Sequence, residues 1–188
     1  MNKMWLALAM LSVVSISVLA ADTYSIDPRH TFPSFEINHL GFSNQRGRFN
    51  ETSGTILLDT SAATGSLQVA INTASISTGL TELEDKLRSK EFLDAALYPQ
   101  ISFISDKFLF KDEKLIGIDG NFSLHGVTKP LHLTVDYFIC GLNVISLKKT
   151  CGANASTTIK RSDFGVDKFV PAIGDEVKIQ IQIEAVKE

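Results

Sequence analysis

Nine residues near the end of the chain constrain its fold more than any other feature. Val177, Ile179, Ile181, Ile183 and Ala185 alternate with Lys178, Gln180, Gln182 and Glu184. Successive side chains of a strand point to opposite faces, so this pattern predicts a β-strand with one face buried and the other in water. The same period of two recurs where Leu67, Val69 and Ile71 alternate with Gln68 and Ala70. It appears again where Leu131, Leu133, Val135 and Tyr137 alternate with His132, Thr134 and Asp136, and where Phe35 and Ile37 alternate with Glu36 and Asn38. Clean alternation of this kind belongs to antiparallel sheets with one solvated face.

Two stretches break the rule. Thr55 to Leu58 and Ile101 to Phe110 are apolar at both parities, as expected of strands covered on both sides. The cover is expected from three pieces without strand character: Leu40 to Arg46, Leu80 to Leu97, and Phe164 to Ile173. Within the second, Thr81 to Arg88 reads as a helix. Thr81 would cap it, acidic residues fill its first turn and basic residues its last. Its stripe of Leu80, Leu83, Leu87 and Phe92 is expected to pack on the sheet. Turns are expected at Lys111–Lys114, at Gly126–Pro130 and between Cys140 and Cys151. About eight strands, joined mostly to their sequence neighbours, point to an all-β, eight-stranded antiparallel up-and-down barrel with one helical excursion. A barrel of that size holds its own side chains or one small ligand.

The first residues are not part of that fold. Met1-Asn2-Lys3 precede an apolar run from Met4 to Leu19, and Val18-Leu19-Ala20 supplies a small-residue cleavage site. This is the pattern of a secretory signal peptide over residues 1–20, cleaved near Ala20. The run is short for a bilayer span, which needs about 20 residues. The domain expected after removal, residues 21–188, is the size of one domain and long enough to bury a core. With Lys3 gone its net charge moves from −3 to −4, which lacks the basic footprint of a nucleic-acid partner. Cys140 and Cys151 are the only cysteines; in an oxidising compartment such a pair reads as a disulfide. A metal or redox pair is the alternative, and it would need C-x-x-C spacing or further ligands.

The chain carries no G-x-S-x-G, no Walker A loop and no G-x-G-x-x-G, so neither an enzyme activity nor a cofactor is expected. His30, His39, His125 and His132 read as ordinary hydrogen-bonding histidines, and no metal site is expected. His30 and His39 would face opposite ways on one continuous strand, and two imidazoles fall short of a structural zinc site. Asp27, Arg29, Asp85, Arg88, Arg161, Asp163 and Asp175 are read as structural ion pairs. All twelve phenylalanines lie beyond residue 20, but phenylalanine content does not separate a filled barrel from a hollow one.

A family resemblance bears on that choice. Tyr24-Ser25-Ile26-Asp27-Pro28-Arg29-His30, Phe35 to Phe42, Arg46-Gly47-Arg48-Phe49 and Ser75 to Gly79 carry its first half. Leu87 to Asp94, Tyr98 to Ser105, Gly120 to Pro130, Lys160 to Val166 and Gly174 to Val177 carry the rest. In order and spacing these stretches resemble the YceI-like family of periplasmic, lipocalin-like barrels that bind polyisoprenoids or related lipids. The resemblance implies a periplasmic protein with an elongated apolar pore that holds an isoprenoid-like chain or a fatty-acyl tail. It implies pore or mouth positions at Phe35, Ile37, His39, Leu40 and Phe42, with Phe92 and Leu97 from the excursion. Ile56, Leu58, Phe103 and Phe122 are further ligand-binding candidates. A few polar groups are expected to set orientation at the mouth, His39, Asp85 or Arg88 among them, though Leu83-Glu84-Asp85 departs from the Arg-Asp pair that the family often has before its helix end. Its members are often dimeric, so a homodimer stands among the expected partners.

Overall fold

A computed structural model describes residues 21–188; the expected signal peptide lies outside them. Eleven strands form one antiparallel sheet. They are β1 (Asp22–Ile26), β2 (Phe32–His39), β3 (Ser43–Phe49), β4 (Thr52–Asp59), β5 (Thr64–Asn72) and β6 (Ile76–Ser77). After helix α1 (Thr81–Arg88) come β7 (Gln100–Lys111), β8 (Lys114–Leu124), β9 (Val127–Leu142), β10 (Lys149–Lys160) and β11 (Ile173–Lys187).

The ring nevertheless has eight positions, because three of them are occupied by interrupted strands. β1 and β2 both lie along β11, Ile26 opposite Ala185 and Phe32 opposite Gln182. On the far side β1 pairs with β4 and β2 with β3, while β4 pairs with β5 and β3 with β6. From β7 to β11 the strands are long and each pairs with the next. Ring closure by β1 and β11 leaves an eight-stranded antiparallel barrel with no free edge at that level. At the other end β6 pairs only with β3, and β7 meets β5 no further along than Asn72–Gln100. The excursion from Thr78 to Pro99 occupies this gap.

The interruptions have local causes. Between β1 and β2, Asp27 accepts hydrogen bonds from the backbone N–H and guanidinium of Arg29 and bonds to His30. Pro28 in this stretch has no N–H to give a ladder. The Thr31 hydroxyl donates to Glu184 O and accepts from Glu184 N, which returns the chain to β11. Two hairpins turn through two residues with positive φ, Asp112-Glu113 and His125-Gly126, the geometry that matches strand twist. The second turn is therefore shorter than expected, and Thr128 to Pro130 belong to β9.

Other expectations are corrected too. Residues 43–46 are strand, part of β3, not a covering loop. Leu57 and Ile104 are 44% and 51% exposed, so among the described residues none covers the outside of those strands there. A bulge skips Asp136, so that Asn154 faces Tyr137 while Ala155 faces Val135. Tyr137 is thereby turned outward and Phe138 inward, the parity shift that a bulge produces.

Candidate functional site

The inner wall is built from the alternating rows. Val177, Ile179, Ile181 and Ile183 of β11 face Leu67, Val69 and Ile71 of β5, with Phe35 and Ile37 of β2 beside them; together they enclose a cavity of about 500 Å³. Pockets for small organic ligands span about 300–1,000 Å³ and are mostly apolar. Gly47 makes room on this wall. It stands opposite Phe35 in the β2–β3 ladder, and a Cβ there would lie 2.5 Å from the Phe35 ring. Phe35 in turn meets Phe49, 6.2 Å between ring centres.

One end of the cavity is stopped. Tyr24, Leu58, Cys151 and Ala185 are buried there, with Ile56, Phe108, Phe110, Phe138 and Cys140 packed on them. Cys140 and Cys151 stand opposite each other on β9 and β10 and are joined in a disulfide. No free cysteine remains, so the disulfide reading holds and the metal or redox alternative falls. Small Ala185 lies opposite both Cys151 and Ile26, which lets three strands close over the floor.

The other end is the mouth. The cavity-lining residues that are themselves exposed are Gln45, Arg46 and Leu80, so the cavity meets solvent between β3 and the start of α1. Leu80, Leu83, Leu87, Phe92 and Leu93 bring the excursion onto the wall. Thr81 is the first helical residue and not the cap; Leu80 holds that place without a side-chain bond. Glu84 instead ties the helix to the segment before it, accepting from the N–H groups of Thr78 and Gly79 at 2.7 and 3.1 Å. These bonds, with Arg88 nearby, hold the Glu84 carboxyl below its usual range. Arg88 donates to Ala74 O and Ile76 O and pairs with Asp85. Neither Asp85 nor Arg88 lines the cavity: the expected mouth pair is a staple between helix and β6.

Arg161 is the polar group that sequence reasoning undervalued. It is 5% exposed, lies on the cavity wall and donates to the carbonyls of Gly174, Val166 and Ile173. Burial pulls its pKa down from its usual high value, opposed by Asp175 and Asp167. Asp175 accepts from the Ser162 N–H and hydroxyl, and these bonds lower its own pKa. Glu91 bonds both Lys86 and Lys168, tying the 161–172 loop to the excursion.

The sequence-derived positions divide into three groups. Phe35, Ile37, His39, Phe92, Phe103 and Phe122 lie on the cavity wall. Leu58 is buried in the floor, with Ile56 packed on the same cluster, and neither lines the cavity. Leu40, Phe42 and Leu97 are also off the wall, 50%, 89% and 65% exposed, because they sit in turns at the mouth end, where strand alternation no longer applies. Among the described residues no three His, Cys, Asp or Glu side chains group as a metal site. His30 bonds Asp27, His132 bonds Asp119, and His125 Nδ1 donates to Phe164 O.

Comparison with known proteins decides the family. Residues 24–185 match the YceI-like domain. The chain belongs to the YceI-like family. It is 37% identical over 175 residues to Protein YceI of Escherichia coli O6:H1, covering 92% of this chain and 90% of that protein. With Protein YceI of Salmonella arizonae the identity is 34% over 190 residues, covering 100% and 98%. The barrel is also similar to the crystal structure of a Campylobacter jejuni YceI protein, at TM-score 0.69 and 27% identity over 81% of this chain and 90% of that one. A polyisoprenoid binding domain from Saccharophagus degradans shares the fold, at TM-score 0.67 and 17% identity over 90% of this chain and 100% of that domain.

Proposed function

We propose that this protein is a periplasmic binding or carrier protein that holds an isoprenoid lipid (polyprenyl or quinone-like) or a fatty-acyl lipid in its barrel cavity. The observation that carries the reading is the cavity of about 500 Å³, stopped at one end and walled by aliphatic and aromatic side chains. Such a wall gives a hydrocarbon tail about 0.8 kcal/mol per buried CH2, with no need for a charged partner. The ligand class named for the Saccharophagus domain and membership of the YceI-like family support the same class here. A barrel with a filled core, the alternative, predicts no continuous cavity. We read the site as one for binding, without catalysis, cofactor, metal or nucleic acid. Phe35, Ile37, His39, Phe92, Phe103 and Phe122 are the proposed contacts.

The periplasmic location rests on the signal-peptide pattern of residues 1–20 and is supported by the Cys140–Cys151 disulfide, since such bonds persist in oxidising compartments. A homodimer is kept as a further expectation, to be read by light scattering. The test of function is native mass spectrometry of protein recovered from a periplasm before and after organic extraction. A discrete adduct that extraction removes, with the mass of a prenyl, quinone or acyl lipid, is expected. A bare mass that stays bare when such lipids are offered would sink the carrier reading. The same spectrum reads cleavage near Ala20.

A further inference from the structure

The cavity wall holds one fully buried polar atom that bonds to nothing among the described residues. Thr52 is 2% exposed and lines the cavity, and its Oγ1 has no hydrogen-bond partner. Its direction follows from β4: Thr52, Ile56 and Leu58 are buried or half-buried while Ser53, Thr55 and Leu57 are exposed, so Thr52 belongs to the inner face. The other buried threonine of the wall, Thr31, has both its donor and its acceptor role filled by Glu184. Valine would occupy the space of Thr52 without burying a hydroxyl, and an unmet hydroxyl is unfavourable in an apolar site. The residue is thus out of place in an empty cavity and suited to a filled one.

We propose that the Thr52 hydroxyl hydrogen-bonds an uncharged oxygen-bearing group of the bound lipid, donating to a carbonyl oxygen that lies within the cavity. The surroundings favour a neutral group. Thr52 stands opposite Ile71, and Ile71 opposite Ile101, so an ion placed here would be desolvated among isoleucines with a single hydroxyl to compensate it. The inference rests on the lipid-carrier reading and deepens it: it selects carbonyl-bearing lipids over plain hydrocarbons of equal length.

Two probes of one chain length, 2-heptadecanone and heptadecane, separate the terms. Their affinities for delipidated protein are measured by displacement of the apolar fluorophore N-phenyl-1-naphthylamine. The ketone is expected to bind about tenfold more tightly, equivalent to about 1.4 kcal/mol. Thr52→Val is expected to abolish that preference, leave heptadecane affinity unchanged and keep the empty protein at least as heat-stable. Thr52→Ser is expected to retain the preference. Thr73 supplies the control: its hydroxyl is also buried without a partner but lies off the cavity wall, so Thr73→Val keeps the preference. A preference that survives Thr52→Val, or a loss shared equally by both probes, overturns the inference and leaves the carrier reading standing. Failure of the unaltered barrel to take up either probe overturns both.

Discussion

The two ends of the barrel are closed by different physics. At the floor, Tyr24, Leu58 and Ala185 are at most 4% exposed around a disulfide, so closure there rests on apolar contact and a covalent bond. At the mouth no helix residue is fully buried. Closure there rests on Glu84, Arg88 and Arg161 reaching backbone groups and on Glu91 pairing with Lys86 and Lys168. A floor of the first kind keeps water out permanently. A mouth of the second kind can exchange its hydrogen bonds with water, and regions rich in such bonds and poor in apolar burial open first.

The largest expected effect breaks the floor. Leu58→Ala should lower unfolding free energy by about 2–5 kcal/mol, read from urea titrations. Leu83→Ala at the half-buried mouth should lower it by less than half as much. Equal losses would refute the contrast. Removing the disulfide with Cys140→Ser and Cys151→Ser comes next, at about 3 kcal/mol by loop-closure entropy for a separation of 11 residues. Arg161→Met should cost about 2 kcal/mol, since three carbonyls lose a charged donor. Hydrogen exchange should show this loss concentrated in residues 161–175 and not at the floor.

Acid sharpens the comparison. Glu84, Glu91 and Asp175 all have pKa values lowered in the folded protein. Their stabilisation is fully present above the unfolded carboxylate range, about pH 4, and is lost as pH falls through their lower folded values. Asp22 at the floor, held low by Lys187 and Lys149, titrates likewise, but the apolar cluster beneath it does not. Amide exchange should therefore rise first in the excursion and the 161–175 loop as pH drops below about 4. Simultaneous opening of both ends would contradict the assignment. The smallest effect is Glu84→Gln, which keeps shape but removes charge. It should raise exchange at Thr78 and Gly79 while leaving the urea midpoint nearly unchanged.

The sequence was most readable where the floor and wall are regular. The alternation from Val177 to Ala185 runs without a break from cavity to floor, and every parity it assigns is the observed one. Tyr137 was misplaced because one inserted residue, Asp136, reverses the parity beyond it, and a bulge leaves no mark in an alternation that has only a few residues left to run. Leu40, Phe42 and Leu97 lie in turns, where residue type no longer reports direction. Arg161 was visible as a charge, but its partners are carbonyls that every residue possesses. Thr52 gave no signal, since threonine is common in strands and only the lack of a hydrogen-bond partner for its buried hydroxyl distinguishes it.

Joining of the first strand to the last has a consequence in time. Tyr24 finds its partner in Lys187, a contact nearly as distant along the chain as any it could make. Contacts of that separation slow folding, because the intervening chain must be ordered first. Until β11 is in place, β10 on one side and β1 with β2 on the other expose unpaired edges, the surface on which other chains aggregate. A chain cut short by even its final strand is thus left with two open edges instead of one slightly smaller barrel, and refolding should show a slow last phase in which those edges disappear together.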